Sequence, residues 1–240
     1  MPAGDAVKET AGEGTPEHEL EPTADSESAE RRSPVLEDAA NVLVLAPTMD
    51  DAARRAYYEE LVPDRPADQD VLVVNYRRSP DEWLDEWRRY ADASPRRAAI
   101  VSVDDLTRSA AASASASGSD GVTPVGPNTI VCVERPDDLT GVGIRIHQCL
   151  DEFDCRRTIV TIDSLTILLQ YVEMRAVFRF LHVLTNRIAG TDVVAHYHMD
   201  PGAHDDRTIA ILGSLFDAVA EYEGGAAGDE DGTAWAVEER

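Results

Sequence analysis

Three places in this 240-residue sequence gather side chains that could do chemistry. Asp163 and Ser164 end the run of high β propensity from Arg157 to Ile162, and a carboxylate beside a hydroxyl offers the oxygen donors that suit Mg²⁺. By themselves they make a weak metal shell, and the plainer use of the pair is to accept hydrogen bonds from neighbouring backbone. Arg77 and Arg78 follow a second apolar run, Val71-Leu72-Val73-Val74. A guanidinium cannot act as a base at any accessible pH. The two arginines are therefore either solvated at a strand end or paired internally with Asp163 or Asp50.

His196 and His198 lie two residues apart, so on a strand they share one face, and Asp200, His204 and Asp205 come just beyond them. Imidazole with carboxylate is zinc chemistry, but the spacing matches no strong zinc pattern. Histidines packed or hydrogen-bonded beside the strand end are the plainer reading. No Ser-His-Asp order or reactive Cys-His arrangement stands out, and the carboxylates are too evenly scattered to nominate a catalytic pair. No catalytic residue is nominated.

The elements that must position these groups alternate. Short apolar runs are expected as strands at Val42–Leu45, Val71–Val74, Ala98–Val103, Thr129–Val133, Arg157–Ile162 and Val193–His198. Between them run amphipathic stretches: a helix at about 50–62 with Asp50 or Thr48 near its cap, and one opened by Ser79-Pro80-Asp81-Glu82 with Trp83, Leu84 and Trp87 on a face. Others are expected at Asp137–Phe153, over about 165–189 with a break near Val172 or Glu173, and at about 205–215. This alternation is the signature of a mostly parallel sheet with helices on both faces, an α/β fold. Asp217–Glu223 and Thr233–Val237, joined by a glycine-rich stretch, predict a C-terminal antiparallel hairpin. Residues 1–38 lack the apolar content to order themselves and are expected as a disordered acidic tail, with one domain at 39–240. The Ala/Ser-rich stretch at about 107–127 is expected to be a mobile loop. The helical stretch Ala176–Ile188 is apolar over more than one stripe, so it is either buried between sheet and neighbour or presents a protein-binding face edged by Arg175 and Arg179.

The segment RTIVTIDSLTILLQY, an acid and a serine directly after a buried strand, resembles the Walker B segment of RecA-like ATPases, in particular the KaiC-like and RadA-like branch. Asn41–Thr48 then stands where the phosphate-loop strand would be, VVNYRRSPDEWL where the next strand and helix would be, and SLFDAVAEYE where a late strand would be. The resemblance implies a three-layer RecA-like domain. It also exposes two losses. A phosphate loop needs glycines for close backbone approach and a lysine for the β and γ phosphates. This turn reads Ala46-Pro47-Thr48-Met49-Asp50-Asp51, and the only lysine, Lys8, lies in the tail. Where KaiC-like enzymes carry a glutamate pair that orients the attacking water, this sequence has Arg77-Arg78. Neither ATP nor Mg²⁺ is expected as a cofactor, and Asp163 with Ser164 survives only as a weak cofactor-binding remnant. FRFLHVLTNRI and AHYHMDPGAHDD are similar to a family of small proteins of salt-loving archaea sometimes labelled transducer-like, which implies signalling without specifying a mechanism.

Composition limits the partners. With 46 acidic against 22 basic residues, the formal charge of −24 repels a phosphate backbone and an anionic bilayer alike. No apolar run is long enough to span a bilayer and no signal-peptide core opens the chain, so a cytoplasmic location is expected. Cys132, Cys149 and Cys155 have neither the count nor the spacing of a disulfide scaffold and are expected as free thiols. The leading expectation is a non-catalytic domain acting through a protein partner in signalling or regulation, with oligomerisation left open. The alternative is a residual nucleotide-binding ATPase, and the third reading is a metal-dependent enzyme at His196 and His198. The acidic, lysine-poor surface predicts adaptation to concentrated salt, where the Debye length falls to about 3 Å and self-repulsion is screened. Desalting should loosen the fold; a Tm equal in molar and millimolar salt would refute this.

Overall fold

The computed structural model describes residues 36, 39–47, 50–62, 66–103, 122–125, 128–153, 158–224 and 234–240, all within the unit Arg31–Arg240. The expected tail apart from Leu36, the loop Ser109–Asp120, Thr48, Cys155 and the glycine-rich stretch before β9 lie outside these residues.

Among the described residues nine strands form one sheet: β1 (Asn41–Leu45), β2 (Asp70–Asn75), β3 (Arg97–Val103), β4 (Val122–Val125), β5 (Asn128–Val133), β6 (Thr158–Asp163), β7 (Val194–Met199), β8 (Ala218–Tyr222) and β9 (Trp235–Glu239). Their order across the sheet is β4-β5-β3-β2-β6-β7-β1-β8-β9, parallel throughout except for the two outermost pairs. The helices are α1 (Asp51–Ala56), α2 (Pro80–Tyr90), α3 (Leu139–Glu152), α4 (Leu165–Tyr171), α5 (Met174–Ala189) and α6 (Asp206–Gly213).

Parallel strands need crossover connections, and here these put apolar side chains on both faces, which is why β1, β2 and β6 are buried at every position. Alternate residues feed two cores. Leu43, Leu72, Val74 and Ile162 pack with Ile146 of α3, Leu168 of α4, Leu181 of α5 and Leu212 of α6. Val42, Val44, Val71 and Val73 pack on the other face with Tyr57, Tyr58, Trp83 and Trp87, and Leu36 is buried there too.

Local signals explain the element ends. α2 opens with a capping box, in which Ser79 Oγ accepts from Glu82 N (3.3 Å) and Ser79 N donates to Glu82 Oε2 (2.8 Å), with Pro80 at the first helical position. The break between α4 and α5 falls at Val172, which is extended (φ −128°, ψ 135°). The predicted hairpin is present, with Tyr222 opposite Trp235 and Ala218 opposite Glu239.

Two expectations are corrected. The stretch about 107–127 is not loop throughout: Val122–Val125 forms β4, antiparallel to β5. An edge strand tolerates Pro124, which lacks an N–H for a second neighbour, so proline and small polar surroundings hid it. The helix at 50–62 stops being α-helical after Ala56 and continues as a wider π turn over Tyr57–Leu61, closed by Val62 N donating to Tyr57 O at 3.1 Å. That turn carries the buried Tyr57 and Tyr58. Cys132 and Cys149 are free thiols, and burial pushes the Cys149 thiol up to about 11. No helix among the described residues is long and apolar enough to cross a membrane.

α5 places its residues unequally: Leu181 is fully buried, whereas Val183, two positions on, is 71% exposed. Leu181→Ala should cost about 2–5 kcal/mol and Val183→Ala no more than about 0.5 kcal/mol. Similar losses in denaturant titrations of the two variants would show that α5 does not sit as described.

Candidate functional site

In parallel α/β folds ligands bind beyond the carboxyl ends of the strands. Here four neighbouring strands end at one level: Asn75 of β2 is opposite Asp163 of β6, Asp163 is opposite His198 of β7, and Met199 of β7 is opposite Leu45 of β1. That alignment brings together residues drawn from 46 to 199 in the sequence.

The turn after β2 is shaped by Asn75. Its buried Oδ1 accepts from Arg77 N (3.1 Å) and Arg78 N (3.0 Å), while Tyr76 N donates to Asp163 O at 2.8 Å. Both guanidinium groups are thereby aimed at β6. Arg78 Nη2 donates to Asp163 Oδ2, Arg78 Nη1 pairs with Glu86 of α2, and Arg77 Nη2 lies 3.6 Å from Asp163 Oδ2. Arg54 of α1 completes the row by donating to Glu86 Oε2 at 3.2 Å. The result is a chain of alternating charges between α1, α2 and the ends of β2 and β6. Burial would raise the Asp163 carboxyl, but Arg78 and Arg77, with His198, hold it below the usual carboxylate range. Burial likewise disfavours the Arg78 cation, yet Asp163 and Glu86 keep it firmly protonated.

The turn after β1 is closed as well. Ala46 N donates to Met199 O at 3.1 Å, and the Asp50 carboxylate accepts from Ala52 N (2.8 Å) and Ala53 N (3.1 Å). Those amides are the donors a phosphate would need. Asp50 thus caps α1, and the carboxylates that hold Arg78 are Asp163 and Glu86. Ser164 Oγ caps α4 by accepting from Ile167 N at 3.4 Å. A dication at Asp163 would face two guanidinium groups, so the donor set does not fit Mg²⁺. Between these groups a cleft lined by Arg54, Tyr57, Arg78, Glu86, Asp163 and His198 retains about 60 Å³, room for a few water molecules.

The histidine candidates are separated. His196 Nδ1 is 2.9 Å from the Tyr57 hydroxyl, and the His198 ring stands edge-on to Tyr57 with centroids 4.6 Å apart. Asp200 caps the turn at Gly202 (3.0 Å), and His204 Nε2 meets Thr166 Oγ1 of α4 at 3.1 Å. Tyr57 belongs to one core, whereas the α4 side chains Leu165 and Leu168 belong to the opposite one. Accordingly, no three His, Cys, Asp or Glu side chains among the described residues gather into a metal-binding group. Burial depresses His196 to about 3 and His198 to about 4, so both rings are neutral at ordinary pH.

Sequence reasoning missed Glu86, Arg54 and Tyr57. Glu86 left a trace, since it interrupts the apolar face made by Trp83, Trp87 and Tyr90 of α2. Residues 39–222 match a family described as one of unknown function (DUF7504). A comparison with curated proteins finds no match.

Replacing both Arg77 and Arg78 by alanine leaves a buried carboxylate uncompensated, which should cost about 3–5 kcal/mol. An unchanged thermal melt would remove the ion pairs from the account. The neutral histidines add a pH dependence. Because their folded values lie below the unfolded value of about 6.5, the unfolded chain takes up protons first, and stability present above pH ~6.5 is lost on acidification towards pH ~4. Asp163, also depressed, adds its own loss below its ordinary range near pH ~4. Chemical denaturation followed across pH should show stability declining from pH ~6.5 downwards; a flat profile to pH ~4 would contradict the buried neutral rings.

Proposed function

The chain belongs to this family of unknown function (DUF7504), and on that premise we propose that it is a non-catalytic RecA/KaiC-like domain, a cytoplasmic module that works in signalling or regulation by binding another protein. The observation that carries this reading is the position of Arg78. Its guanidinium stands between Asp163 and Glu86 at the carboxyl edge of the sheet, the edge at which parallel α/β folds take their ligands. The Asp50 cap supports the same reading from the other side of the cleft, because it uses the first-turn amides of α1. With no lysine beyond residue 8 and no glycine between Ala46 and Ala52, the β1 turn has neither the cation nor the backbone access for a triphosphate. The net charge of −24 argues against nucleic acid and anionic lipid as partners.

A residual nucleotide-responsive ATPase is the competing reading, and the order of the β1 turn and Asp163 around β7 is what favours it. Nucleotide would have to displace the Arg78 pairs. A calorimetric titration of the full chain with ATP and Mg²⁺ in concentrated salt should give no binding tighter than millimolar. A micromolar Kd would overturn the proposal.

A further inference from the structure

α5 differs in charge from the rest of the chain. Of the 46 acidic residues in the chain, only Glu173 falls between Ser164 and Thr191. α5 itself, MRAVFRFLHVLTNRIA, carries three arginines and a histidine and no acid. Arg187 is engaged with Asp151 of α3 at 3.3 Å. Arg175 and Arg179 have no carboxylate partner among the described residues, although the chain is strongly acidic. With Val183 they recur at four-residue spacing, so the three lie along one outward stripe of the helix. Val183 is 71% exposed and Tyr171, at the end of α4, is 56% exposed. Phe180 lies against the α3 side, 3.6 Å from where a Cβ on Gly143 would stand, so the stripe borders a further apolar seam.

We infer that the outer stripe of α5 docks an acidic segment of a partner protein, with carboxylates on Arg175 and Arg179 and an apolar side chain against Val183. This rests on the binding-module reading above and names its surface. Charge complementarity chooses the occupant: arginine beside exposed apolar and aromatic residues is the composition of a binding surface. The net charge of the whole chain repels an extended polyanion, whereas a short acidic segment meets only the local field of the stripe.

The test uses the full chain and a fluorescein-labelled helical peptide with glutamate at every fourth position and leucines between, followed by anisotropy. Wild type should bind it, and Arg175→Glu with Arg179→Glu, or Val183→Asp alone, should weaken binding about tenfold, roughly 1.4 kcal/mol. Thermal melts of these surface variants should match wild type. No binding by wild type, equal binding of the glutamine counterpart of the peptide, or variants that bind as wild type would each overturn the inference. So would two other occupants. One is a second copy, revealed by self-association that the double arginine variant abolishes. The other is the acidic segment 1–30, revealed if changing its carboxylates to amides raises peptide affinity about tenfold. Failure here with no ATP binding leaves the non-catalytic reading standing, whereas micromolar ATP binding removes that reading whatever the peptide does.

Discussion

Asp163 is an ionised carboxylate at the end of a strand buried on both faces, and the protein must compensate it or lose the strand end. A buried charge left alone costs several kcal/mol. The β2–β6 register, which sets Asn75 level with Asp163, decides how compensation is made. Asn75 gathers the amides of Arg77 and Arg78 on its side-chain oxygen and so turns both guanidinium groups back over β6. Two cations on one anion would be an imbalance, and Glu86 absorbs the surplus from α2, with Arg54 of α1 beyond it. The closure of the carboxyl edge is thus the consequence of one charge and the register of two strands.

The same device occurs at the opposite end of the sheet. Asp70, at the start of β2, is fully buried and takes Arg96 Nε at 2.8 Å and Arg96 Nη2 at 2.7 Å, with Arg97 on its second oxygen. Burial would raise that carboxyl, and Arg97 and Arg96 hold it low. A pair of adjacent arginines on a buried aspartate thus occurs at two strand ends, the start of β2 and the end of β6. At the carboxyl edge the same pairing sets Arg78 between Asp163 and Glu86.

The strands were legible because burial on both faces demands unbroken apolar runs, as in Val42–Leu45 and Val71–Val74. α2 was legible because Ser79, Pro80 and Glu82 each have a local job at a helix start. Asp163 and Ser164 were legible by position at a strand end. What could not be read is what depends on distance in the chain. Glu86 meets Arg78 only because α2 folds back over β2, and nothing local to either residue says so. β4 was missed because a tetrapeptide containing Pro124 has little strand propensity of its own and is fixed by pairing with β5. The histidines show the converse limit: spacing on β7 correctly puts His196 and His198 on one side, but only the fold turns Asp200 and His204 towards the other core.

A sheet of this kind has two helical layers and one carboxyl edge with which to meet other molecules. Here the edge is occupied by the protein's own charges, and the layer containing α2 uses its aromatic residues inward, with Trp83 and Trp87 almost wholly buried. The remaining layer is the one in which α5 keeps Leu181 and Leu184 for the core and leaves Arg175, Arg179 and Val183 outside. Acidic residues are the cheapest way for this chain to cover a surface, as the rest of its composition shows. Their exclusion from α5 is not needed for packing, because the outward positions touch no core. It leaves α5 with three arginines and no carboxylate in a chain of formal charge −24.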